Sequence, residues 1–233
     1  MSEGLEISKQ MERAASCGHG LNRVYGAKRL PYRIAKRAFD IVFSAGVIVV
    51  LFLPGLVLCV FVAKDTGASP FYAQKRVGAR GRDFNMFKFR TMVADADDVE
   101  KYLDEHQLAK WRAERKVDDD PRVTPLGNVL RKTSIDEFPQ FLNVLIGQMS
   151  VIGPRAITRD ELNRWYSAEE RKELLSVPVG ITGLWQTGPR NECVFEDGKR
   201  QQLELSYVRN AGLSLDAKLF FRTFKTMANG TGR

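Results

Sequence analysis

The apolar positions of this chain are concentrated in one uncharged run near its N-terminus. Residues 41–63 hold 23 positions without a charged side chain, between Asp40 and Lys64. A straight helix of that length reaches about 34 Å, enough to cross the hydrocarbon core of a bilayer. A helix that is apolar on every face is unusual in a soluble core. The pattern therefore predicts that the protein sits in a membrane.

The path of this run in the membrane depends on its centre and its flanks. Proline removes a backbone donor and clashes with the preceding turn, so a bend or break is predicted at Leu53 and Pro54. Because cytoplasmic flanks carry an excess of Lys and Arg, and both flanks here do, the pattern favours a helix that enters, bends and returns to the same face. A kinked spanning helix stays open, because membrane helices tolerate proline.

Beyond the apolar run, the pattern predicts a small β-element among helices. Residues 69–92 roughly alternate around turn signals, which predicts a short strand or β-hairpin. Residues 94–116 are charged and rich in helix formers, which predicts an exposed helix. Ser167 and Glu170 have the spacing of a capping box for a helix through about Leu175.

The C-terminal segment has the pattern of an amphipathic helix, with Ser214 as its predicted cap. Basic residues oppose its apolar ones, and such a helix commonly lies on a membrane surface. An ordinary packing helix fits the pattern equally well. The apolar positions are Leu215, Leu219, Phe220, Phe224 and Met227, and the basic ones are Lys218, Arg222 and Lys225.

Three segments are predicted along the 233 residues. Residues 1–27 lack periodicity and are expected to form a disordered tail. Residues 28–64 form a basic lead and the membrane helix, and residues 65–233 form a cytoplasmic domain. The fold class is a helix-rich α+β fold, in which a re-entrant membrane helix and interfacial amphipathic helices accompany the small β-element.

Composition narrows the partners and the chemistry. A formal net charge of +8 suits nucleic acid, an anionic membrane surface or phosphorylated substrates, and the apolar run favours the last two. The three cysteines are widely separated and show no disulfide framework or metal spacing, which fits a reducing cytoplasm. His19 and His106 are isolated, so a histidine metal site or a Ser-His-Asp triad has little support.

The most informative local feature is the adjacent acid pair Asp136 and Glu137. Ser134 and Glu137 fit a capping box, in which the carboxylate bonds the Ser134 amide, and this purely structural interpretation stays open. Asp136 is an alternative cap, three residues before Pro139. Both arrangements place the acids at a helix N-terminus, where free N–H groups favour anions such as phosphate. The surrounding arginines also favour phosphate chemistry: Arg122, Arg131 and Arg155.

Several blocks in order resemble the monotopic phosphoglycosyl transferase family of bacterial sugar transferases. These blocks extend over about residues 36–227 and are similar to polyprenyl-phosphate hexose-1-phosphate transferases that start exopolysaccharide assembly. The sequences of these blocks are most similar to those of the galactosyl-phosphate and glucosyl-phosphate members. The blocks read KRAFDIV, QKRVGARGRDFNMFKFRTM, DPRVTPLGNVLRKTSIDEFPQFLNVLIGQMSVIGPR, GITGLWQ and SYVRNAGLSLDAKLFFRT.

The resemblance implies a two-step exchange with Asp136 as the nucleophile. Asp136 would attack the sugar-bearing phosphorus of a UDP-sugar and release UMP, and polyprenyl (undecaprenyl) phosphate would then take the sugar phosphate. Glu137 is the second residue of the family's dyad, with a metal-binding or acid–base role. Mg²⁺ is the implied cofactor, with both acids as its expected ligands. The implied location is the cytoplasmic face of the bacterial inner membrane.

The resemblance also implies substrate-binding residues. Arg131 and Arg155 align with family arginines near the substrate phosphate. Three further basic residues fall in family blocks and are expected to bind an anionic substrate or headgroup, although a solvated basic face stays open: Lys88, Arg90 and Arg76. The expected nucleotide-sugar loop contains Gly183, Gln186 and Arg190. Three departures from the family pattern put donor preference in question: Ala156, Val179 and Pro189.

The expected partners are a UDP-sugar, polyprenyl phosphate and inner-membrane lipids, without nucleic acid. Self-association through the membrane helix stays open. A basic, membrane-anchored binder of nucleic acid or anionic lipid is one rival, and it rests only on charge. A catalytically silent scaffold of a glycan-assembly complex is the other, and it predicts that no UMP appears. The intact acid pair argues against both, and the sequence does not identify the sugar.

Overall fold

A computed structural model describes residues 30–114, 117, 119–188 and 195–228. The predicted tail at residues 1–27 and the loop residues Pro189 and Arg190 lie outside the described residues. The described chain is helix-rich with small β-elements, so the predicted α+β class is confirmed.

Short helices alternate with short strands after one long N-terminal helix. The helices are α1 (Leu30–Thr66), α2 (Val99–Tyr102), α3 (Glu105–Glu114), α4 (Pro125–Thr133), α5 (Gln140–Leu145), α6 (Arg159–Trp165), α7 (Ala168–Leu174), α8 (Leu184–Thr187), α9 (Lys199–Asn210) and α10 (Leu213–Ala228). The strands are β1 (Phe71–Val77), β2 (Asp83–Phe89), β3 (Ser150–Ile152) and β4 (Gly180–Thr182).

Strands β1 and β2 form the predicted β-hairpin. They pair antiparallel, with Phe71 opposite Phe89 and Val77 opposite Asp83. The chain reverses through a 3₁₀ turn at Ala79–Gly81. Phe84 and Met86 are buried on the face of β2 that also carries Lys88, whereas Phe89 is buried on the opposite face.

Strands β3 and β4 pair in parallel, with Ser150 opposite Gly180 and Ile152 opposite Thr182. This pair lies inside the main hydrophobic core, where Val151 and Ile152 are buried. The backbone of Gly180 presses directly on that of Gly153, and a Cβ added at Gly180 would lie 2.1 Å from the Gly153 amide nitrogen. Only glycine allows this approach, which fixes the segment that carries Arg155.

Helix α1 runs for 37 residues and stays helical across Leu53 and Pro54. A re-entrant path therefore requires a bend within this helix rather than a loop at the predicted break. Within the described residues, α1 is the helix long and apolar enough to cross a membrane by length and composition. Residues 49–54 are exposed on every side, whereas both flanks carry a buried stripe.

The first flank of α1 is attached to the domain through buried polar groups. Lys36 Nζ lies 2.8 Å from Asp216 Oδ2, and the Tyr207 hydroxyl donates to the other oxygen of the same carboxylate at 2.8 Å. Asp40 accepts a hydrogen bond from the Val151 amide at 2.9 Å. These contacts hold the first flank against α9, α10 and β3.

The second flank of α1 packs on the same domain through apolar side chains. Val62 is buried against Phe89 and Leu130, and the Thr66 hydroxyl is satisfied by the Val62 carbonyl within the helix. Closer to the centre, the Phe138 ring lies 3.7 Å from the position of a Cβ on Gly55. Both flanks therefore rest on one domain.

Two sequence predictions change at the helix boundaries. The predicted cap Ser214 is wrong, because α10 begins at Leu213 and the Asp216 amide bonds the Gly212 carbonyl at 2.9 Å. The exposed helix predicted over residues 94–116 forms as α2 and α3. These two helices are separated at Leu103, which has extended backbone and is buried.

The capping box at Ser167 is confirmed. The Ser167 side chain accepts from the Glu170 amide while the Glu170 carboxylate accepts from the Ser167 amide. Helix α10 buries Leu219 and stacks Phe220 edge-on against Phe43 at 5.0 Å between ring centroids, whereas Phe221 and Phe224 are exposed. The interfacial role of this helix remains a prediction.

Candidate active site

The acid pair lies in a 3₁₀ turn rather than at a capped helix start. Helix α4 ends at Ser134, whose left-handed backbone (φ 59°) lets its amide bond the Arg131 and Leu130 carbonyls. The turn Ile135–Glu137 follows, and α5 begins after Pro139. Both predicted caps are therefore wrong. The Ser134 side chain makes no cap bond, and the residue that precedes α5 is Pro139 instead of Asp136.

Lys88 brings the β-hairpin onto this turn. Its Nζ donates to Glu137 Oε1 at 2.9 Å and lies 3.5 Å from Asp136 Oδ2. All three side chains are largely buried, with 18%, 19% and 10% of their surface exposed for Lys88, Glu137 and Asp136. One ammonium group thus lies within 3.5 Å of two neighbouring carboxylates. We call Asp136, Glu137 and Lys88 the dyad site.

The pKa of Asp136 lies above its ordinary value, because burial outweighs the neighbouring cations. Burial raises the pKa of Asp136, the positive charges of Lys88 and Arg131 lower it, and Glu137 raises it further. Arg131 is fixed by a hydrogen bond from its Nε to the Thr91 hydroxyl at 2.9 Å. Burial lowers the pKa of the Arg131 guanidinium, and Asp136 counters this effect. The cations therefore favour the ionised form that a carboxylate nucleophile requires.

The dyad site suits Mg²⁺ held together with a substrate. Its two carboxylates already converge on one cation, the ammonium of Lys88. Mg²⁺ is usually bound through one or two carboxylates plus substrate phosphates and water. Across the described residues, no group of three or more His, Cys, Asp or Glu side chains is placed to hold a metal. The donor set fits a metal shared with a diphosphate.

A small cleft leads from the dyad site to Arg155. Its lining is formed by Met86, Glu137, Gln140, Arg155, Ala156, Gly180 and Ile181. Ala156, one of the departures from the family pattern, is buried beside Arg155. A ligand that reaches Glu137 through this cleft therefore also contacts the segment of Arg155.

A second group of charges lies beyond this cleft, and we call Arg76, Arg155, Arg200, Glu161 and Glu204 the arginine cluster. Arg76 Nη1 lies 3.1 Å from Glu161 Oε2, and the Arg155 amide donates to Glu204 Oε2 at 3.1 Å. Burial raises the pKa of Glu204 to about 7, although Arg200 opposes the rise. Burial also lowers the pKa of Arg76 to about 10.

Aromatic rings cover the arginine cluster. The Arg200 guanidinium lies 4.2 Å from the centroid of the Trp185 ring and 3.9 Å from that of Phe195. Arg155 lies 5.2 Å from the same Trp185 centroid. Planar guanidinium groups stack favourably on such faces, which holds these two arginines together despite their like charges.

The sequence profile of the family described as bacterial sugar transferase matches residues 31–230. The chain belongs to this family. The exopolysaccharide production protein ExoY of Rhizobium meliloti is 40% identical over 228 residues, which cover 96% of this chain and 99% of that protein. The predicted family is thereby confirmed, and so is the assignment as an enzyme of the phosphoglycosyl transferase class.

Two longer relatives agree with this assignment by name. An undecaprenyl-phosphate galactose phosphotransferase of Salmonella typhimurium is 38% identical over 203 residues, which cover 86% of this chain and 42% of that protein. An undecaprenyl-phosphate glucose phosphotransferase of Komagataeibacter xylinus is 38% identical over 201 residues, which cover 82% of this chain and 35% of that protein.

The sugar transferase brings some predicted site residues together and places others elsewhere. Lys88 and Arg131 lie at the dyad, whereas Arg76 and Arg155 belong to the arginine cluster. Arg90 donates from Nε to the Ser69 carbonyl at 2.9 Å, at the open end of the β-hairpin. Arg122, which precedes the dyad in the sequence, forms a close ion pair with Asp120 at 2.6 Å.

The predicted nucleotide-sugar loop is described only in part. A Cβ added at Gly183 would lie 2.1 Å from the Gly153 carbonyl oxygen, so this residue packs directly on the segment that leads to Arg155. Gln186 is buried in α8, and Arg190 lies outside the described residues. The described part of the loop therefore borders the arginine cluster.

Sequence reasoning missed Arg200, Glu204 and Tyr166, and the buried Tyr166 ring lies edge-on to Phe195 at 6.2 Å between ring centroids. Arg200 and Glu204 stand four residues apart on α9, a spacing that is equally typical of an exposed ion pair on a solvated helix. Their burial depends on packing against distant segments, and no local pattern indicates it.

Proposed function

We propose that this sugar transferase transfers a hexose-1-phosphate from a UDP-sugar to polyprenyl phosphate and releases UMP. The observation that carries the proposal is the dyad site, where a buried carboxylate lies beside a second carboxylate and two cations. The printed names of two relatives support undecaprenyl phosphate as the acceptor and a hexose donor. The name of ExoY supports a place in exopolysaccharide production.

In the first step, an oxygen of Asp136 attacks the sugar-bearing phosphorus of the donor. The bond from that phosphorus to the bridging oxygen breaks, and UMP leaves with the electron pair. A covalent aspartyl sugar-phosphate remains, which divides one difficult displacement into two easier ones. Lys88 and Arg131 favour the ionised carboxylate, and Arg131 and Arg155 are proposed to bind the phosphate oxygens.

In the second step, a phosphate oxygen of polyprenyl phosphate attacks the same phosphorus. The aspartyl oxygen leaves with its electron pair, which regenerates the carboxylate and gives polyprenyl-diphosphate-sugar. Asp136 and Glu137 would hold a Mg²⁺ ion. When bound, this ion neutralises the diphosphate charge and stabilises the leaving group.

The anchoring of α1 supports a re-entrant path at the cytoplasmic face of the inner membrane. Lys36 and Asp40 on one flank and Val62 on the other all pack on one domain, so both flanks belong on one side of the membrane. The exposed centre at residues 49–54 is then the part that enters the bilayer. Exposed Phe221 and Phe224 side chains support contact of α10 with the interface. Cysteines placed at Leu30 and Lys64 should be labelled from the same side, and labelling from opposite sides contradicts this path.

The test of the reaction is UMP release from a panel of UDP-sugars by the full chain in nanodiscs, with Mg²⁺ and polyprenyl phosphate. We expect Asp136→Asn to lower UMP release by about 10³-fold or more, because the amide cannot act as the nucleophile. Asp95→Asn is the control, since Asp95 is a solvent-exposed carboxylate paired with Lys101. The donor that yields UMP also identifies the sugar.

Two results would change the conclusion. A folded preparation that releases no UMP from any donor supports the scaffold alternative. UMP release that survives Asp136→Asn means that another group is the nucleophile. An adduct of the sugar phosphate, detected by intact mass without acceptor and absent in Asp136→Asn, supports the covalent step.

A further inference from the structure

Buried polar atoms that lack a hydrogen-bond partner are concentrated around the arginine cluster. Among the described residues, six of the eight such side-chain atoms belong to the cluster, to the adjoining α8 or to Tyr166 beside Phe195: Nε of Arg76, Nε of Arg200, the Tyr166 hydroxyl, Oε1 of Glu204 and both amide atoms of Gln186. Buried polar groups are normally satisfied, and each exception in a folded protein calls for an explanation. A ligand that supplies the missing partners is such an explanation.

The charge of the cluster indicates an anion. Three guanidinium groups face two carboxylates, and Glu204, with a pKa near 7, is partly protonated at neutral pH. Arg155 and Arg200 repel each other electrostatically, which burial makes stronger. A phosphate ester that enters the cluster relieves this repulsion and accepts from the unpartnered guanidinium N–H groups.

The neighbouring Gln186 adds a different chemistry. Its amide presents a donor and an acceptor side by side, the complement of the imide edge of a pyrimidine base. Its Oε1 lies 3.0 Å from the position of a Cβ on Gly183, and Gly183 packs on the Gly153 carbonyl. The amide therefore lies beside the backbone that leads to Arg155.

The cleft joins this region to the dyad site, since Glu137 and Arg155 line the same cleft. The cleft is narrow in the free chain, so a ligand that joins Glu137 to Arg155 has to widen it. In a nucleotide diphosphosugar, the phosphate that bears the sugar must reach Asp136. The other phosphate and its nucleoside then point along the cleft.

We propose that the arginine cluster, together with Gln186 and Tyr166, binds the nucleoside monophosphate half of the donor, which leaves as UMP. This assignment rests on the proposed function, because it takes the donor to be a UDP-sugar. Arg155 and Arg200 hold the phosphate, and Gln186 bonds the base. Glu204 positions Arg155 by accepting from its backbone amide.

The test is the binding of UMP and of inorganic phosphate to the full chain in nanodiscs, measured by calorimetry without donor or acceptor. We expect Arg200→Gln to weaken the binding of both by about tenfold or more, because a charge-assisted contact to phosphate is lost. Gln186→Leu should weaken UMP binding by about tenfold and leave the binding of phosphate within about twofold. Arg164→Gln, which removes an exposed arginine that also stacks on a tryptophan, should leave both within about twofold.

The melting temperature separates a binding role of Gln186 from a structural one. An amide that bonds nothing in the free protein is removed without loss, so Gln186→Leu should melt no lower than the wild type. A lower melting temperature together with unchanged UMP binding would overturn the assignment. Unchanged UMP binding in both Arg200→Gln and Gln186→Leu would overturn the assignment as well.

Competition with farnesyl phosphate distinguishes the two sources of phosphate. If farnesyl phosphate displaces bound phosphate from the cluster while UMP does not, the cluster holds the acceptor and the assignment is wrong. UMP binding requires no chemistry, so this experiment is independent of turnover. A chain that binds UMP through the cluster but releases none from UDP-sugars retains the subsite and loses the transferase proposal.

Discussion

Glu137 of the dyad site and Arg155 of the arginine cluster line one cleft, and the two sites bury charge in different ways. At the dyad, Lys88 approaches both carboxylates within 3.5 Å, so the protein supplies its own counter-charge. In the cluster, buried atoms of Arg200 and Glu204 lack hydrogen-bond partners among the described residues. The dyad carboxylates thus have a cation from the protein, whereas these buried atoms of the cluster have no partner in the described part of the chain.

This difference in buried charge matches the proposed roles of the two sites, catalysis at the dyad site and ligand binding in the arginine cluster. A nucleophile must be ionised before the donor arrives, so its cations have to be part of the protein. A binding site gains most from a ligand when its polar groups are satisfied only in the complex. We therefore expect changes at the dyad to alter turnover and its pH dependence, and changes in the cluster to alter binding and stability.

Removal of Mg²⁺ should have the largest effect, and it should lower turnover at the dyad site far more than UMP binding by the arginine cluster. Chelation with EDTA should lower UMP release by about 10³-fold or more, because the diphosphate charge is no longer neutralised. UMP binding by the arginine cluster should stay within about twofold, since the expected metal ligands lie at the dyad. Turnover that persists after exhaustive chelation would contradict the metal proposal, and readdition of Mg²⁺ to restore activity is the control.

Lys88→Met should give the next largest effect. The ionised form of Asp136 is the active one, so activity falls as the pH drops through its pKa, which burial already raises. Without Lys88 this pKa rises further, and the acid limb of the kcat/KM profile should move to higher pH. At neutral pH we expect a loss of about 10- to 10²-fold.

Lys132→Met is the matched control, because Lys132 is an exposed lysine of α4 one residue from Arg131. Its pH profile should coincide with that of the wild type. An acid limb that stays in place in Lys88→Met would show that Asp136 is not the group that titrates.

Glu204→Gln should give the smallest effect, on stability rather than chemistry. The pKa of Glu204 is raised from 4.5 to about 7 in the folded chain, which therefore binds more protons than the unfolded chain between these pH values. Stability must fall as the pH rises through this window. The neutral amide avoids this loss. At about pH 8 the free energy of unfolding of the variant should therefore exceed that of the wild type by about 1–3 kcal/mol, and this difference should become smaller near pH 5.

Urea unfolding of the two proteins across this pH range measures the difference. A gap that stays constant with pH would show that Glu204 does not titrate in the folded chain. Turnover at neutral pH should change by only a few fold, because the amide oxygen can still accept from the Arg155 amide.

The sequence predicted local features well where local interactions decide them. Ser167 and Ser134 each stand three residues before a glutamate, and only the first forms a capping box. At Ser134 the left-handed backbone ends α4 instead. The glutamate of that motif, Glu137, bonds Lys88, which lies 49 residues away. A contact across the fold thus overrides an identical local spacing.

The candidate site divides in the same way. The acid pair and Arg131 lie in one contiguous block and were predicted together, whereas Lys88 was expected only to bind an anionic substrate or headgroup, and its contact with the acid pair was not predicted. The arginine cluster combines β1, the segment after β3, and α9, and its residues carry no common spacing. The parallel pairing of β3 with β4 likewise depends on close contact between Gly153 and Gly180, which no periodicity indicates.

The attachment of α1 has a consequence for how the protein is made. Lys36 belongs to α1, and its partner Asp216 follows 180 residues later. At about 5–20 residues per second, translation separates the two by about 9–36 s. During that interval the apolar helix exists without the carboxylate that fixes its orientation. On the proposed membrane path, α1 therefore has to enter the bilayer without this contact or wait for Asp216 to be made.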